Sequence, residues 1–92
     1  MTLTELLQMQ SLSLTLTYVG TAGGWHADID GAEIKDGAIL RGCVGFGKTP
    51  MQALKEMTRN ILGKRIVMYA TSDLRHEFIV PRTTTLPEDI LK

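Results

Sequence analysis

The chain has 92 residues, a formal net charge of zero and a single cysteine, Cys43. A chain of this length supports one hydrophobic core, so we expect one domain over residues 1–92, and a lone cysteine excludes an intrachain disulfide. His26, His76 and Cys43 lack the spacing of zinc ligands, so we expect no metal and no cofactor. Because so small a core is marginal without such support, we expect a homo-oligomer.

The sequence also predicts where the protein resides. No apolar run reaches the ~18 residues that a membrane-spanning helix requires, so we expect no contact with a membrane. The first five residues carry no basic region and no cleavage signature, so we expect no signal peptide. Together with the single thiol, these features predict a cytoplasmic protein.

The charges are unevenly distributed along the chain. Residues 1–40 contain one basic and five acidic residues, a net charge of −4, whereas residues 41–82 contain eight basic and three acidic residues, a net charge of +5. Two interpretations remain open: two solvated faces that complement each other within the fold or between subunits, or a basic site for an anion. A neutral total makes non-specific nucleic-acid binding an unfavoured function, because such binding needs many phosphate contacts.

The chain begins with a predicted short helix at residues 1–10. Thr2 and Glu5 have the spacing of a capping box, and a leucine stripe at helical spacing follows. Period-two alternation of apolar and polar residues then predicts three strands, at residues 12–19, 25–30 and 38–46. Asp30-Gly31 and Asp36-Gly37 are turn signals, so we expect these strands to form an antiparallel meander.

The main helix is predicted to begin at Thr49-Pro50, where a capping hydroxyl precedes a proline at the first helical position. Gly63 is predicted to end it. The residues expected to face the core are Met51, Leu54, Met57, Thr58 and Ile61.

Two more strands are predicted after the helix, at residues 66–70 and 76–80, with a turn at Ser72-Asp73. The tail, residues 83–92, is expected to dock on a partner subunit. The predicted class is therefore α+β: an antiparallel sheet of about five strands, in the order α-β-β-β-α-β-β, with one main helix packed on one face.

Residues 42–49 match the phosphate-loop pattern GxxxxGK[ST] in full. We interpret the match as coincidental, because that motif needs a parallel sheet with crossover helices and the short connections predict an antiparallel one. A nucleotide hydrolase is thus an unfavoured alternative. A weaker hypothesis is that Gly47, Lys48 and Thr49 bind an anion at the helix N-terminus, where main-chain N–H groups are free.

Other candidate ligand-binding residues lie outside this segment. Trp25, the only tryptophan, is either a core residue or a stacking platform for a base. Arg75, His76 and Arg82 flank the last predicted strand and are either exposed hairpin residues or a phosphate clamp. Arg41 belongs to the basic stretch. No nucleophile and base can be paired from the sequence, so we expect no catalytic residues.

The segment from Gly42 to Ile61 resembles the strand-to-helix junction of HicB-like antitoxin domains. The matching residues in the pattern G-x-T-x-x-x-A-L are Gly47, Thr49, Ala53 and Leu54. The resemblance covers about residues 12–62 and implies a small fold of the double-stranded-RNA-binding type, with three strands followed by a helix. The segments G-x-G-K-T-P and F-I-V-P are also similar to those of short accessory proteins of phages that infect Gram-positive bacteria, many of which counter host defences.

The leading hypothesis is a non-enzymatic phage-type protein that sequesters a small anionic ligand, such as a nucleotide immune signal, in the host cytoplasm. One alternative is a HicB-like or anti-defence protein–protein inhibitor, in which the acidic stretch 28–36 or the open sheet edge contacts a host defence protein. A further alternative is an RNA-binding module that uses Arg41, Lys64 and Arg65.

Overall fold

The computed structural model describes residues 1–71 and 73–86. Its helices and strands follow the predicted order and form one α+β fold with an antiparallel sheet. The elements are α1 (Leu3–Met9), β1 (Ser13–Val19), β2 (Gly24–Asp36), β3 (Ile39–Gly47), α2 (Pro50–Ile61), β4 (Arg65–Met68) and β5 (His76–Ile79).

The 13-residue strand β2 organises the sheet. On one edge, β3 pairs with β2 along both of its halves. On the other edge, β1 pairs with residues 24–30 of β2 and β4 pairs with residues 32–35, while β5 continues the sheet beyond β4. Every pairing between these strands is antiparallel, so the predicted meander of the first three strands is confirmed.

The predicted turn at Asp30-Gly31 is wrong, because the chain forms a bulge there and β2 continues. The register between β2 and β3 shifts between Asp28 and Glu33, and Gly31 has a φ of +77°. The core-facing residues change from odd to even positions across the bulge, from Ile29 to Ile34. The irregularity therefore keeps the apolar side chains of both halves on one face. The second turn signal, at Asp36-Gly37, does form a turn into β3.

Helix α2 packs on the core face of the sheet with its apolar side inward. Its buried residues are Ala53, Leu54, Met57, Thr58 and Ile61. This is the predicted stripe, except that Ala53 is buried and Met51 is only partly so. Thr49 caps the helix, since its Oγ1 accepts a hydrogen bond from the N–H of Gln52 at 3.1 Å. Gly63 follows with a φ of +69°, the left-handed conformation expected after a helix end.

The helix lies unusually close to β3 at Gly45. A Cβ at this position would lie 2.1 Å from the main-chain nitrogen of Met57 and 2.5 Å from the oxygen of Ala53. A Cβ at Gly47 would lie 2.7 Å from the nitrogen of Ala53. These two glycines let the backbones of the strand and the helix come into contact.

Helix α1 and the segment after β5 complete the core. The capping box forms as predicted: the N–H of Glu5 donates to Thr2 Oγ1 at 3.1 Å, and the N–H of Thr2 donates to Glu5 Oε1 at 3.2 Å. Thr85 forms a β-bridge with Thr2, and Leu86 packs against the core. Docking of the tail on a partner stays a prediction, and residues 87–92 lie outside the described residues. No helix within 1–71 and 73–86 has both the length and the apolar character to cross a membrane.

Candidate anion-binding groove

The outer edge of β3 and the side of α2 form a groove. Within the described residues, β3 pairs only with β2, so no strand of this part of the chain covers its other edge. Asn60 of α2 donates a hydrogen bond from Nδ2 to the main-chain oxygen of Val44, 3.0 Å away. Two open pockets, of about 340 and 350 Å³, lie along this edge.

The pocket at the C-terminal end of α2 is rich in cations, and we name it the cationic pocket. It is lined by Ile34, Arg41, Gly42, Val44, Arg59, Asn60 and Lys64. None of these described lining residues is acidic. The guanidinium of Arg41 lies 3.4 Å from Asp36, and that of Arg59 pairs with Glu56. No carboxylate of the described residues lies within ion-pair distance of Lys64.

The other pocket lies nearer the start of α2 and contains a phenylalanine ring, so we name it the aromatic pocket. It is lined by Phe46, Gly47, Gln52, Lys55, Glu56 and Arg59. Arg59 lines both pockets. The two pockets therefore adjoin at this side chain, and we call them together the basic groove; the cations that line it are Lys55, Arg59, Arg41 and Lys64.

The predicted anion site at the helix N-terminus is partly occupied by the protein's own side chains. The N–H of Gln52 donates to Thr49 Oγ1, and the N–H of Lys48 donates to Gln52 Oε1 at 3.0 Å. Two main-chain donors are thus already satisfied. Of the three residues predicted there, Gly47 lines the basic groove, whereas Lys48 and Thr49 do not.

The phosphate-loop match does not form a loop. Residues 42–47 belong to β3, and Val44, Gly45, Phe46 and Gly47 each pair with a residue of the antiparallel strand β2. A phosphate-binding loop instead follows a parallel strand and leaves its main-chain N–H groups free to surround the phosphates. The geometric basis for the hydrolase alternative is therefore absent at residues 42–49.

Trp25 lies on the core face of the sheet and packs against the core. Its ring meets that of Tyr18 edge to face, with ring centroids 5.6 Å apart and an interplanar angle of 63°. It lines neither pocket of the basic groove. Of its two predicted roles, the structure favours the core residue over the stacking platform.

The predicted phosphate clamp is not assembled, because its three residues contact different parts of the chain. Arg75 donates from Nε to Glu77 Oε2 at 2.9 Å and from its guanidinium to the oxygen of Ala70 at 3.3 Å. His76 Nε2 lies 3.1 Å from Gln10 Oε1. The guanidinium of Arg82 lies over Gly63, where a Cβ would come within 2.8 Å of Cζ. None of the three lines the basic groove, and their part in ligand binding stays a prediction.

Glu77 is the centre of a separate charge cluster on the outer face of the sheet, the face opposite α2. Besides Arg75, the cations of Lys35 and Arg65 lie 3.9 and 3.5 Å from its carboxylate. The hydrogen bond from Arg75 holds the pKa of Glu77 below its ordinary value, burial opposes this shift, and the surrounding charges reinforce it. Arg65, named in the RNA-binding alternative, is thus apart from Arg41 and Lys64, which share the cationic pocket.

Cys43 is fully buried, and its environment makes it a poor nucleophile. Burial raises the pKa of its thiol to about 12, and the negative charges of Asp28 and Glu33 add to the shift. The thiol is therefore protonated at neutral pH, whereas the thiolate is the reactive form of cysteine.

Sequence reasoning did not identify Phe46, Lys55, Arg59 and Asn60 as site residues. The signal that could have found the last three is their position on α2: they fall between the apolar positions of the helix and project from its polar side. The polar side of α2 lines the groove because of where the helix lies along β3. That position depends on Gly45 and Gly47, which let the two backbones come into contact.

Neither a cluster of metal ligands nor a similar known protein helps to assign a function to this site. In the part of the chain that the structure describes, no three histidine, cysteine, aspartate or glutamate side chains come together as metal ligands. No family model, no curated protein and no solved structure matches the chain. The candidate function therefore depends on the geometry and charge of the basic groove.

Proposed function

We propose that this protein binds a small anionic ligand with phosphate groups in the basic groove and does not transform it. The observation that carries the proposal is the cationic pocket, where Arg41, Arg59 and Lys64 converge and no described lining residue is acidic. Guanidinium groups offer planar sets of donors that match phosphate oxygens, and lysine adds a mobile point charge.

The ion pairs already present leave these cations available to a ligand. The pairs of Arg41 with Asp36 and of Arg59 with Glu56 are solvent-exposed, and exposed pairs contribute about 0–1 kcal/mol. Lys64 has no carboxylate partner among the described residues. Asn60 uses one amide hydrogen on Val44 and keeps a second donor. A phosphate in the pocket would thus gain several charge-assisted hydrogen bonds at little cost.

The finer features of this proposal come from the sequence. A phage-type protein that sequesters a nucleotide immune signal in the host cytoplasm is the form that the resemblance to phage accessory proteins suggests. The homo-oligomer is proposed because a core of this size is marginal alone. Light scattering coupled to size-exclusion chromatography would measure the oligomeric state, and a monomer at micromolar concentration would contradict that part.

Calorimetric titration with inorganic tripolyphosphate and with cyclic dinucleotides tests the proposal. We expect binding that weakens as salt increases, because the groove is open to solvent. Lys64→Gln should weaken binding about tenfold, the effect of one lost charge-assisted hydrogen bond. Lys35→Gln is the matched control, since Lys35 lies in the cluster around Glu77 and lines neither pocket.

Two results would contradict the proposal. One is the absence of binding heat with every phosphate compound. The other is an equal loss of affinity in Lys64→Gln and Lys35→Gln, which would mean that the net charge of the protein matters and the groove does not.

A protein–protein inhibitor is the second candidate, and the acidic outer face of β2 favours it. Asp28 and Asp30 project on the face that α2 leaves uncovered, and Glu33 follows beyond the bulge. This surface would suit a basic host protein. A stoichiometric partner captured from host lysate by the wild type, and lost with Asp28→Asn/Asp30→Asn, would support this candidate.

A further inference from the structure

We infer that two copies of this chain associate through β1, whose open edge pairs antiparallel with β1 of the second copy. The inference rests on the homo-oligomer in the proposed function, names its interface and is independent of anion binding. It requires three features: a strand edge without a partner, no charge that opposes association, and a side-chain pattern that matches itself when the strand direction is reversed.

The edge of β1 that faces away from β2 is open. Every residue from Ser13 to Val19 pairs with β2 in one unbroken register, and no other strand in the part of the chain that the structure describes pairs with β1. The main-chain N–H and C=O groups along an open edge can pair with another chain. Because β1 contains neither a proline nor a bulge, nothing within the strand interrupts such pairing.

Within the described residues, β3 and β5 also have an open edge, but both are less suited to self-pairing. On β3, Asn60 already occupies the main-chain oxygen of Val44. β5 has four residues, and its Glu77 belongs to the charge cluster. β1 has seven residues and lies within residues 6–25, a segment without lysine, arginine, aspartate or glutamate. Proteins commonly protect edge strands with charged side chains, so the absence of charge leaves β1 free to associate.

The side-chain pattern of β1 matches itself about Leu16, the central residue of the strand. Antiparallel pairing about this residue places Leu16 opposite Leu16 of the second copy and Leu14 opposite Tyr18, all on the core face of the sheet. On the outer face, it places Thr15 opposite Thr17. Pairs of apolar residues and pairs of threonines both stabilise neighbouring strands. The arrangement is two-fold symmetric, and the core faces of the two copies lie on the same side of the joined sheet.

The apolar side chains of β1 are incompletely covered within one copy. Helix α2 packs mainly on β3 and β2. Leu14 and Leu16 are only partly buried, and Tyr18 is 58 % exposed. Pairing with a second copy removes part of this apolar surface from water, which favours association, while the main-chain hydrogen bonds fix the register.

The experiment measures the oligomeric state of the full chain by light scattering coupled to size-exclusion chromatography. We expect the wild type to be a dimer at micromolar concentration. Leu16→Lys and Leu16→Glu should each be monomeric, because two like charges would lie directly opposite each other. An equimolar mixture of these two variants should restore the dimer, since the introduced charges then have opposite signs. Ile79→Glu is the matched control and should remain a dimer, because Ile79 is an exposed apolar residue of the other end strand, β5.

Leu16→Cys tests the register without adding a charge to the strand. Directly opposite residues of an antiparallel pair have Cα atoms about 4.5–5.5 Å apart, a distance that a disulfide spans. Oxidised glutathione should therefore link the Leu16→Cys variant into a covalent dimer and leave the Ile79→Cys variant unlinked. The native Cys43 is fully buried and does not compete.

The outcomes separate this inference from the proposed function. A monomeric wild type would overturn both the homo-oligomer and its interface. An oligomeric wild type would overturn the β1 interface alone if the two charged variants at Leu16 stay oligomeric, or if Leu16→Cys links no better than Ile79→Cys. A dimeric wild type that fails to bind tripolyphosphate would overturn the anion site and leave the interface intact.

Discussion

Asn60 on α2 holds the main-chain oxygen of Val44 on β3 through a 3.0 Å hydrogen bond from its side-chain amide. The unpaired main-chain groups of an edge strand invite pairing with other chains, and proteins commonly block such edges. Here a helical side chain occupies one of these groups. The same two residues line the cationic pocket, so this contact both protects the edge and shapes the proposed site.

Replacing Asn60 should therefore lower stability. In Asn60→Ala the oxygen of Val44 loses its protein partner, and we expect the free energy of unfolding to fall by about 1 kcal/mol. Urea denaturation would measure the change. Gln8→Ala on α1 is a control, because Gln8 is an exposed helical residue, and its effect should stay within about 0.5 kcal/mol. Equal midpoints for Asn60→Ala and Gln8→Ala would contradict the stabilising role.

Gly45 should be the glycine of β3 that is least tolerant of substitution. Gly45→Ala places a methyl group 2.1 Å from the main-chain nitrogen of Met57, so the whole helix must move, and we expect a loss of about 3 kcal/mol or more. Gly42→Ala is the matched control on the same strand, where the nearest atom is Val44 Cγ1 at 3.2 Å. Thermal unfolding of the two variants should differ clearly. A Gly45→Ala protein as stable as Gly42→Ala would mean that α2 does not pack as described.

The sequence was sufficient for much of the fold because local signals and tertiary contacts agree. The capping residues of both helices are where the sequence predicted them, at Thr2 and Thr49, and alternation located the first three strands. The Asp30-Gly31 signal gave a wrong prediction, because a glycine with a positive φ is typical both of a tight turn and of a bulge. Only the pairing of β2 with strands on both edges decides between the two, and that pairing is not local.

The groove was less predictable than the fold. Arg41 and Gly47 were named from the sequence and do line it, but Arg59 and Asn60 reach it only because α2 lies directly on Gly45. In the sequence, a glycine that admits a helix cannot be told from one that permits a turn. The contact that assembles the site is thus set by close approach of two backbones, for which one sequence carries no specific pattern.

Gly31 provides a test of the bulge. Its φ of +77° is strained for any residue with a Cβ, although nothing lies within 4 Å of the position that a Cβ would occupy. Gly31→Ala should therefore cost about 1 kcal/mol through backbone strain alone. Gly20→Ala is the control, since its Cβ would meet only Tyr18 at 3.8 Å and its φ lies outside the left-handed region. If urea denaturation shows the same stability for both variants, the backbone at residue 31 is not left-handed.

Glu77 should make stability depend on pH in a defined direction. Because the hydrogen bond from Arg75 and the neighbouring cations lower its pKa in the folded state, the folded protein binds this proton less readily than the unfolded chain does. The stabilisation is therefore fully present above the unfolded carboxyl pKa and is lost as the pH falls through the folded one. Glu77→Gln should be less stable than the wild type at pH 7, with a difference that diminishes on acidification.

The titration of Glu77 itself identifies the cause of this pH dependence. Carbon-detected NMR should place its pKa below the ordinary glutamate value in the wild type. Arg75→Gln should raise that pKa most, because it removes the 2.9 Å hydrogen bond, and Lys35→Gln should raise it less, because Lys35 acts from 3.9 Å through charge. If Glu77 titrates at its ordinary value, or if Lys35→Gln has the larger effect, the cluster is not organised by Arg75, and the pH dependence must arise from other carboxylates.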